Sequence, residues 1–431
     1  MAVLYPEFEW REAVPGRWER GVDEIEEFYF TIRKLYAGSG RMKIVETSAS
    51  ALDWATSNPP APALPTLFLV KSRHDKDSDS LHRSVVFRSP HEVIDGIGTL
   101  QLLHNLFELA AEAYSQGVSY DRPEFGREHS RLSPPFRAAA SIPRELTVEQ
   151  NERWYQMLER NKSLRQDLDL SILPYKRGPT LPGIHRRVAI QLSLERTGQI
   201  MAACKSLGAT VTHVYHAAIT MALRDLQARS SQSRNVRYLG YTLINHRKSC
   251  HWPDGPTQHP VSAVHSSSGV GFVVDLKVPA NGGDTKALDP RKEFIEALAV
   301  TKDYYHSIRD DPDSLAWAPK LFGLGIPKLP AGVLEGRLTD VPAPDPNPSV
   351  TLSSMGRIDD QISHQHGSFK LDNPWITGEE LRTALGTFLG TWKGQLTFSA
   401  AYNDAWHSES KVMEFLKACN EIVFEGLGLE S

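Results

Sequence analysis

The residues best suited to chemistry in this chain stand together at His91-Glu92-Val93-Ile94-Asp95-Gly96. A neutral imidazole can take a proton from an alcohol near neutral pH, because its ordinary pKa is about 6.5. His91 is therefore a candidate general base. Asp95 follows four residues later, a spacing that does not suit direct contact with His91 unless the loop curls. A carboxylate so placed more simply turns away and fixes the loop through a distant cation. Gly96 permits a tight bend into whatever follows. The pattern is short, and an ordinary loop with a surface histidine and a helix-capping aspartate would read the same. Its weight depends on position and on what lies downstream.

Two later groups offer complementary chemistry. Asn245-His246-Arg247 ends an apolar stretch, and Ser353-Ser354-Met355-Gly356 sits in another. A serine hydroxyl can donate to the oxyanion of a tetrahedral intermediate, an effect worth about 3 kcal/mol in well-studied enzymes. On a strand only one of Ser353 and Ser354 can face a given side. A pair satisfied by backbone is the plainer alternative. His213 and His216 lie three apart, and His364 and His366 two apart, with no matching set of carboxylates or cysteines. They read as core or partly exposed side chains, and no metal site is expected. Gly269-Val270-Gly271 and Gly323-Leu324-Gly325 lack a phosphate-loop context.

The elements that must position these groups are mixed. Residues 67–71 and 84–88 read as strands. The histidine loop follows the second, and a helix over 97–114 follows the loop, with Leu100, Leu103, Phe107 and Ala110 at helical spacing. A helix over 22–35 precedes them. Residues 121–143 lack periodicity, and 148–164 are helical. The Pro- and Gly-containing stretch 171–182 reads as a crossover between two α/β halves, residues 1–178 and 179–431. The second half restarts with a strand at 187–192 and helices at 198–206 and 211–226, the latter capped by Thr210. Strands follow at 236–244, 269–278, 349–355 and 395–402, with helices at 291–309 and 409–425.

Composition narrows the classes. The 431 residues are 40% hydrophobic and 23% charged, with a net charge of −4, which argues against nucleic acid or an anionic membrane as partner. Three dispersed cysteines, Cys204, Cys250 and Cys419, suggest neither a disulfide framework nor structural zinc. The first ten residues do not resemble a secretory signal, and no apolar run is long enough to span a bilayer. A cytoplasmic protein, and a monomer, is expected.

Taken in order, His91 to Gly96 after a strand, Asn245-His246-Arg247 at a strand end, Ser353 to Gly356, and 396–403 before a final helix resemble the superfamily of BAHD acyltransferases, chloramphenicol-acetyltransferase-like enzymes and peptide-synthetase condensation domains. The flavour is that of fungal trichothecene 15-O-acetyltransferase-type enzymes. The resemblance implies two chloramphenicol-acetyltransferase-like lobes in a V, with His91 in a tunnel between them. It further implies an acyl-coenzyme A co-substrate, acetyl-coenzyme A or a similar short acyl thioester, a small-molecule alcohol acceptor, and no bound cofactor. Arg247 matches the arginine expected to pair with Asp95, and Asn245 accompanies it. Pro90 stands where condensation domains carry an additional histidine, and the plant D-F-G-W-G motif is absent. Both departures favour a freestanding fungal-type enzyme over a carrier-protein-dependent condensation domain. A silent binding protein of the same fold, or another reaction at the same base, remains a rival.

Overall fold

The computed structural model describes residues 42–57, 59–60, 62, 65–72, 82–89, 91, 93–121, 133–252, 255, 258–281, 289–325, 343–378, 380 and 382–430. The helix expected at 22–35 lies outside them. Strand β1 (Met42–Thr47) leads through the short helix α1 (Ala51–Ala55) to β2 (Thr66–Ser72) and β3 (Ser84–Arg88). These three strands form one sheet in the order β1-β2-β3, with β1 parallel and β3 antiparallel to β2. Its apolar side buries Phe68, Val70 and Val86 with Ala51.

Helix α2 (Gly96–Gln116) follows the histidine loop. It buries Leu100 with Ile358, Ile362 and Trp392, joined by Leu103 and Phe107. The anticipated periodicity therefore meets its apolar partner in the last third of the chain. A short helix α3 (Phe136–Ala139) and the long α4 (Val148–Ser163) come next; Thr147 and Gln150 close a capping box at the start of α4. Strand β4 (Asp169–Leu170) is short, and the expected crossover at 171–182 carries no helix or strand.

A large core lies beyond it. Strand β5 (His185–Gln191), helix α5 (Leu194–Ser206) and helix α6 (Val211–Asp225) are followed by β6 (Arg234–Gly240), β7 (Leu243–Asn245), β8 (His265–Ser267) and β9 (Phe272–Val278). Helices α7 (Pro290–Arg309) and α8 (Ser314–Gly325), strands β10 (Val350–Arg357), β11 (Gln365–His366), β12 (Phe369–Lys370), β13 (Leu385–Trp392) and β14 (Gln395–Asn403), and the final helix α9 (Glu409–Leu427) complete the order. Helix α6 is buried all round, from Val214 to Leu223, because α7, α9 and two sheets enclose it.

Four sheets serve this part of the chain: β10-β13-β14-β5, β4-β6-β9, β7-β8 and β11-β12. The strand expected over 236–244 is broken: β6 stops at Gly240, β7 begins at Leu243, and each joins a different sheet. The helix expected at 198–206 begins earlier, at Leu194, because Ser193 accepts from the Arg196 N–H and caps it. Strand β1, β13 and helix α8 carry weaker sequence signals. Strand β13 reads Leu-Gly-Thr-Phe-Leu-Gly-Thr-Trp, with glycines where β-branched residues would mark a strand. The architecture is mixed α/β, with sheets flanked by helices.

Candidate active site

His91 occupies the turn between β3 and α2, exposed, as strand-to-helix position anticipated. Asp95 ends that turn. It is the N-cap of α2, and its Oδ1 accepts from the Gly98 N–H at 2.8 Å. The same carboxylate has longer-range partners. Arg247 Nη2 lies 2.7 Å from Oδ1, and Arg247 Nη1 donates to Oδ2 at 2.8 Å. The Val264 N–H donates to Oδ2 at 3.1 Å, and the Asp95 N–H donates to the Ser262 carbonyl at 3.3 Å. Thus Asp95 is both a helix cap and one half of an ion pair whose side chains are only 6% and 9% exposed. Burial pushes the Asp95 carboxyl up; the facing His265, the Arg247 guanidinium and the Gly98 N–H outweigh it and hold the group well below the usual carboxylate range.

The segment from β7 to β8 supplies these partners. Asn245 ends β7, and its Oδ1 accepts from the Arg247 N–H at 3.0 Å. His246 is buried; its Nε2 lies 2.8 Å from Ser266 Oγ and its ring stacks on Phe136. Burial, with a smaller contribution from His265, pushes the His246 pKa down to about 4. Directly across the β7-β8 ladder from Asn245 stands His265. Its Nδ1 is 3.8 Å from Asp95 Oδ2, and its ring centre is 5.2 Å from that of His91. His265 thus stands beside both motif side chains. Nothing in Val-His-Ser-Ser-Ser distinguished it in sequence, since only the pairing of β7 with β8 brings it there.

The glycines play different parts from the expected bend. Gly96 has no positive φ; it leaves room for Met355, whose Cε would lie 2.8 Å from a Cβ added there. Gly98 is the tighter position. A Cβ on it would meet the Pro260 carbonyl at 2.3 Å and Arg247 Nη2 at 2.9 Å. Its small size lets the arginine reach the aspartate, a role that sequence reasoning did not assign.

Ser353 and Ser354 do point to opposite sides of β10. Ser353 lies opposite Phe388 of β13 and is partly buried. Ser354 is exposed, with its Oγ 2.8 Å from Thr212 Oγ1 in the first turn of α6. His213 is buried near the start of α6, and His216 lies in the core between Tyr305 and Tyr238, whose hydroxyls are 3.0 and 3.1 Å from its ring nitrogens. Burial pushes the His216 pKa down to about 3. His366 does meet other polar side chains. Its Nε2 is 2.8 Å from His104 Nδ1, while His104 Nε2 faces Glu108 at 3.9 Å. Among the described residues, His104, Glu108 and His366 thus bring one ligand atom each within 4.8 Å of one another, a group that sequence spacing did not reveal and that could hold a metal ion. His364 pairs with Asp359. The three cysteines are free and buried.

Comparison with known proteins places the fold. No family model matches the sequence. The trichothecene 15-O-acetyltransferase TRI3 of Fusarium sporotrichioides superposes with a TM-score of 0.69 over 90% of this chain and 77% of that one, at 19% identity. The epimerization domain of tyrocidine synthetase B (TM-score 0.53, 12% identity, 91% of this chain and 80% of that one) has the same fold. So does the first condensation domain of the CDA synthetase (0.53, 13%, 90% and 76%). The chain shares the fold of these proteins. In sequence it is 26% identical to the O-acetyltransferase pigM of Monascus ruber over 369 residues, 84% of this chain and 66% of pigM. It is 23% identical to the acetyltransferase pigO of the same organism over 390 residues, 90% of this chain and 76% of pigO. The matched region thus spans about two thirds to three quarters of these longer relatives. Among the described residues no helix is long and apolar enough to cross a membrane.

Proposed function

We propose that the chain is an acyl-coenzyme A-dependent O-acyltransferase that moves an acetyl or other short acyl group to the hydroxyl of a small secondary metabolite, with His91 as general base. The observation that carries this reading is the saturation of Asp95. Both of its oxygens are held by Arg247, Gly98 and Val264, so the carboxylate fixes the loop and leaves the proton transfer to His91. The names of pigM and pigO support acetyl transfer.

In this mechanism His91 removes the proton from the acceptor hydroxyl as its oxygen attacks the thioester carbonyl. The tetrahedral oxyanion is met by backbone amides and by the hydroxyl of Ser353 or Ser354. The intermediate collapses with cleavage of the C–S bond, and the imidazolium returns its proton to the thiolate, giving ester and free coenzyme A. Gly96, Asn245 and Arg247 support the loop. The proposal includes two lobes, 1–178 and 179–431, in a V around a tunnel. It also includes a monomeric cytoplasmic protein, with no bound cofactor or metal and no nucleic acid or membrane partner.

The test is thiol release from acetyl-coenzyme A in the presence of a panel of polyketide- and terpenoid-type alcohols. His91→Ala is expected to keep the fold and lose about 10²–10⁴-fold in turnover. A folded variant with near-full activity would remove His91 as the base. The condensation-like neighbours favour one rival, transfer from a carrier protein. Activity with a carrier-bound acyl group but none with free acyl-coenzyme A would select that rival, and no thiol release from any donor would select a silent binding protein.

A further inference from the structure

One face of the sheet β10-β13-β14-β5 carries a charge that the acyl-transfer step does not use. Arg187 of β5 lies opposite Ala401, Ala189 opposite Ser399, Ser399 opposite Phe388, and Phe388 opposite Ser353, so these side chains share a face. The alternate residues, Val188, Phe398 and Leu389 among them, turn the other way into the helix-covered core. A shallow, half-open cleft lies over the first face, walled by Arg187, Phe388, Ser399, Trp375, Trp392 and Met355. Met355 is the side chain that fills the space beside Gly96. The cleft therefore shares a wall with the first turn of α2, the helix that follows the histidine loop.

Arg187 differs from other sheltered arginines of the chain. Arg224 pairs with Glu293 and Asp225, Arg237 with Asp275, and Arg247 with Asp95. The partners of Arg187 are neutral: its Nε donates to the Ile376 carbonyl at 3.2 Å, and its Cζ lies 6.0 Å from the centre of the Trp375 ring. Among the described residues it has no carboxylate partner. Glu380 is no substitute. Its Oε1 packs against Gly386, two strands away, and burial pushes its pKa up to about 7. Burial also lowers the Arg187 pKa, to about 10, yet a guanidinium keeps its charge at neutral pH. A partly desolvated cation without a counter-charge is costly to the fold alone, and an anionic ligand would repay the cost.

We propose that this cleft is the acceptor subsite and that it takes a flat apolar acid, whose carboxylate Arg187 grips while Trp375 and Phe388 hold its body. The inference rests on the acyl-transfer reading for the word acceptor, and the anion site itself can be tested apart from it. An anionic group could also come from the phosphates of the thioester donor; the aromatic walls favour the acceptor.

The experiment is calorimetric titration of the full chain with 2-naphthoate and with its neutral analogue 2-naphthamide, each with and without saturating coenzyme A. The acid is expected to bind about tenfold or more tightly than the amide, as one charge-assisted contact provides. Coenzyme A should leave that binding in place. Arg187→Gln should abolish the preference and Arg187→Lys should keep most of it. Equal binding of the two probes to the unaltered protein overturns the proposal, as does a preference that survives Arg187→Gln. Displacement by coenzyme A would assign the anion to the donor and overturn the acceptor subsite. The acid–amide comparison needs no variant, so it stands even where Arg187→Gln fails to fold. Because it reads binding, its failure leaves the His91 thiol-release result untouched.

Discussion

The Asp95–Arg247 pair makes a quantitative demand. Asp95→Asn preserves shape and can still accept from the Gly98 N–H through its remaining oxygen. Its new NH₂ group then faces Arg247 Nη1 and the Val264 N–H, two donors where an acceptor stood. The guanidinium keeps its charge in a place where its side chain is only 9% exposed. Breaking one side of a buried pair costs about 3–5 kcal/mol, and this pair is sheltered enough to fall in that range. Arg247→Ala leaves the carboxylate with its two backbone donors and should cost a similar amount. The double variant should lose little beyond either single one, giving a coupling about as large as one single loss, about 3–5 kcal/mol. Urea unfolding of the four proteins measures it. The pH dependence supplies an independent check. The folded-state pKa of Asp95 lies below its unfolded value, so its contribution is present above the ordinary carboxylate range and lost as pH falls through and below it. The stability gap between the unaltered protein and Asp95→Asn should therefore narrow on acidification. Additive losses, or a gap that widens in acid, would mean that the pair does not carry the loop.

Two further outcomes follow from the same geometry. Ser353→Ala and Ser354→Ala should differ in turnover with acetyl-coenzyme A, by up to about 10²-fold for whichever hydroxyl meets the oxyanion, because the two point to opposite sides of β10; equal small effects would take both serines out of the mechanism. His265→Asn should lower kcat and shift the pH–rate profile with little change in unfolding midpoint, since the ring stands beside both His91 and Asp95. An unchanged profile would reduce His265 to packing.

The motif loop was legible because its chemistry is local: a histidine, an aspartate and a helix start lie within six residues, and helix α2 runs within two residues of its expected bounds. Arg247 was reachable only through family resemblance, being 152 positions from Asp95. His265 and Gly98 were not reachable at all. The first depends on which strand pairs with β7, and the second on how closely Pro260 and Arg247 approach a helix 149–162 residues earlier in the chain. Strand β13 escaped notice because its glycines at 386 and 390 weaken β propensity. The structure uses them to admit Glu380 and Ile358, whose atoms would lie 2.5 and 3.0 Å from added Cβ atoms. Arg187 carried no signal of its own in the expected strand at 187–192; only the strand register sets it over an aromatic cleft, apart from its neighbour Arg186.

The hydrogen bonds from Gly98 and Val264 to one carboxylate have a consequence for anyone moving this loop elsewhere. Half of what shapes it is written in residues 245–265, a stretch that contains no base and no nucleophile of the proposed reaction. A graft of residues 89–98 onto another scaffold would carry the letters of the motif without its posture. The smallest transferable unit is the loop together with the β7–β8 hairpin, two separate pieces of chain that must be exchanged as one.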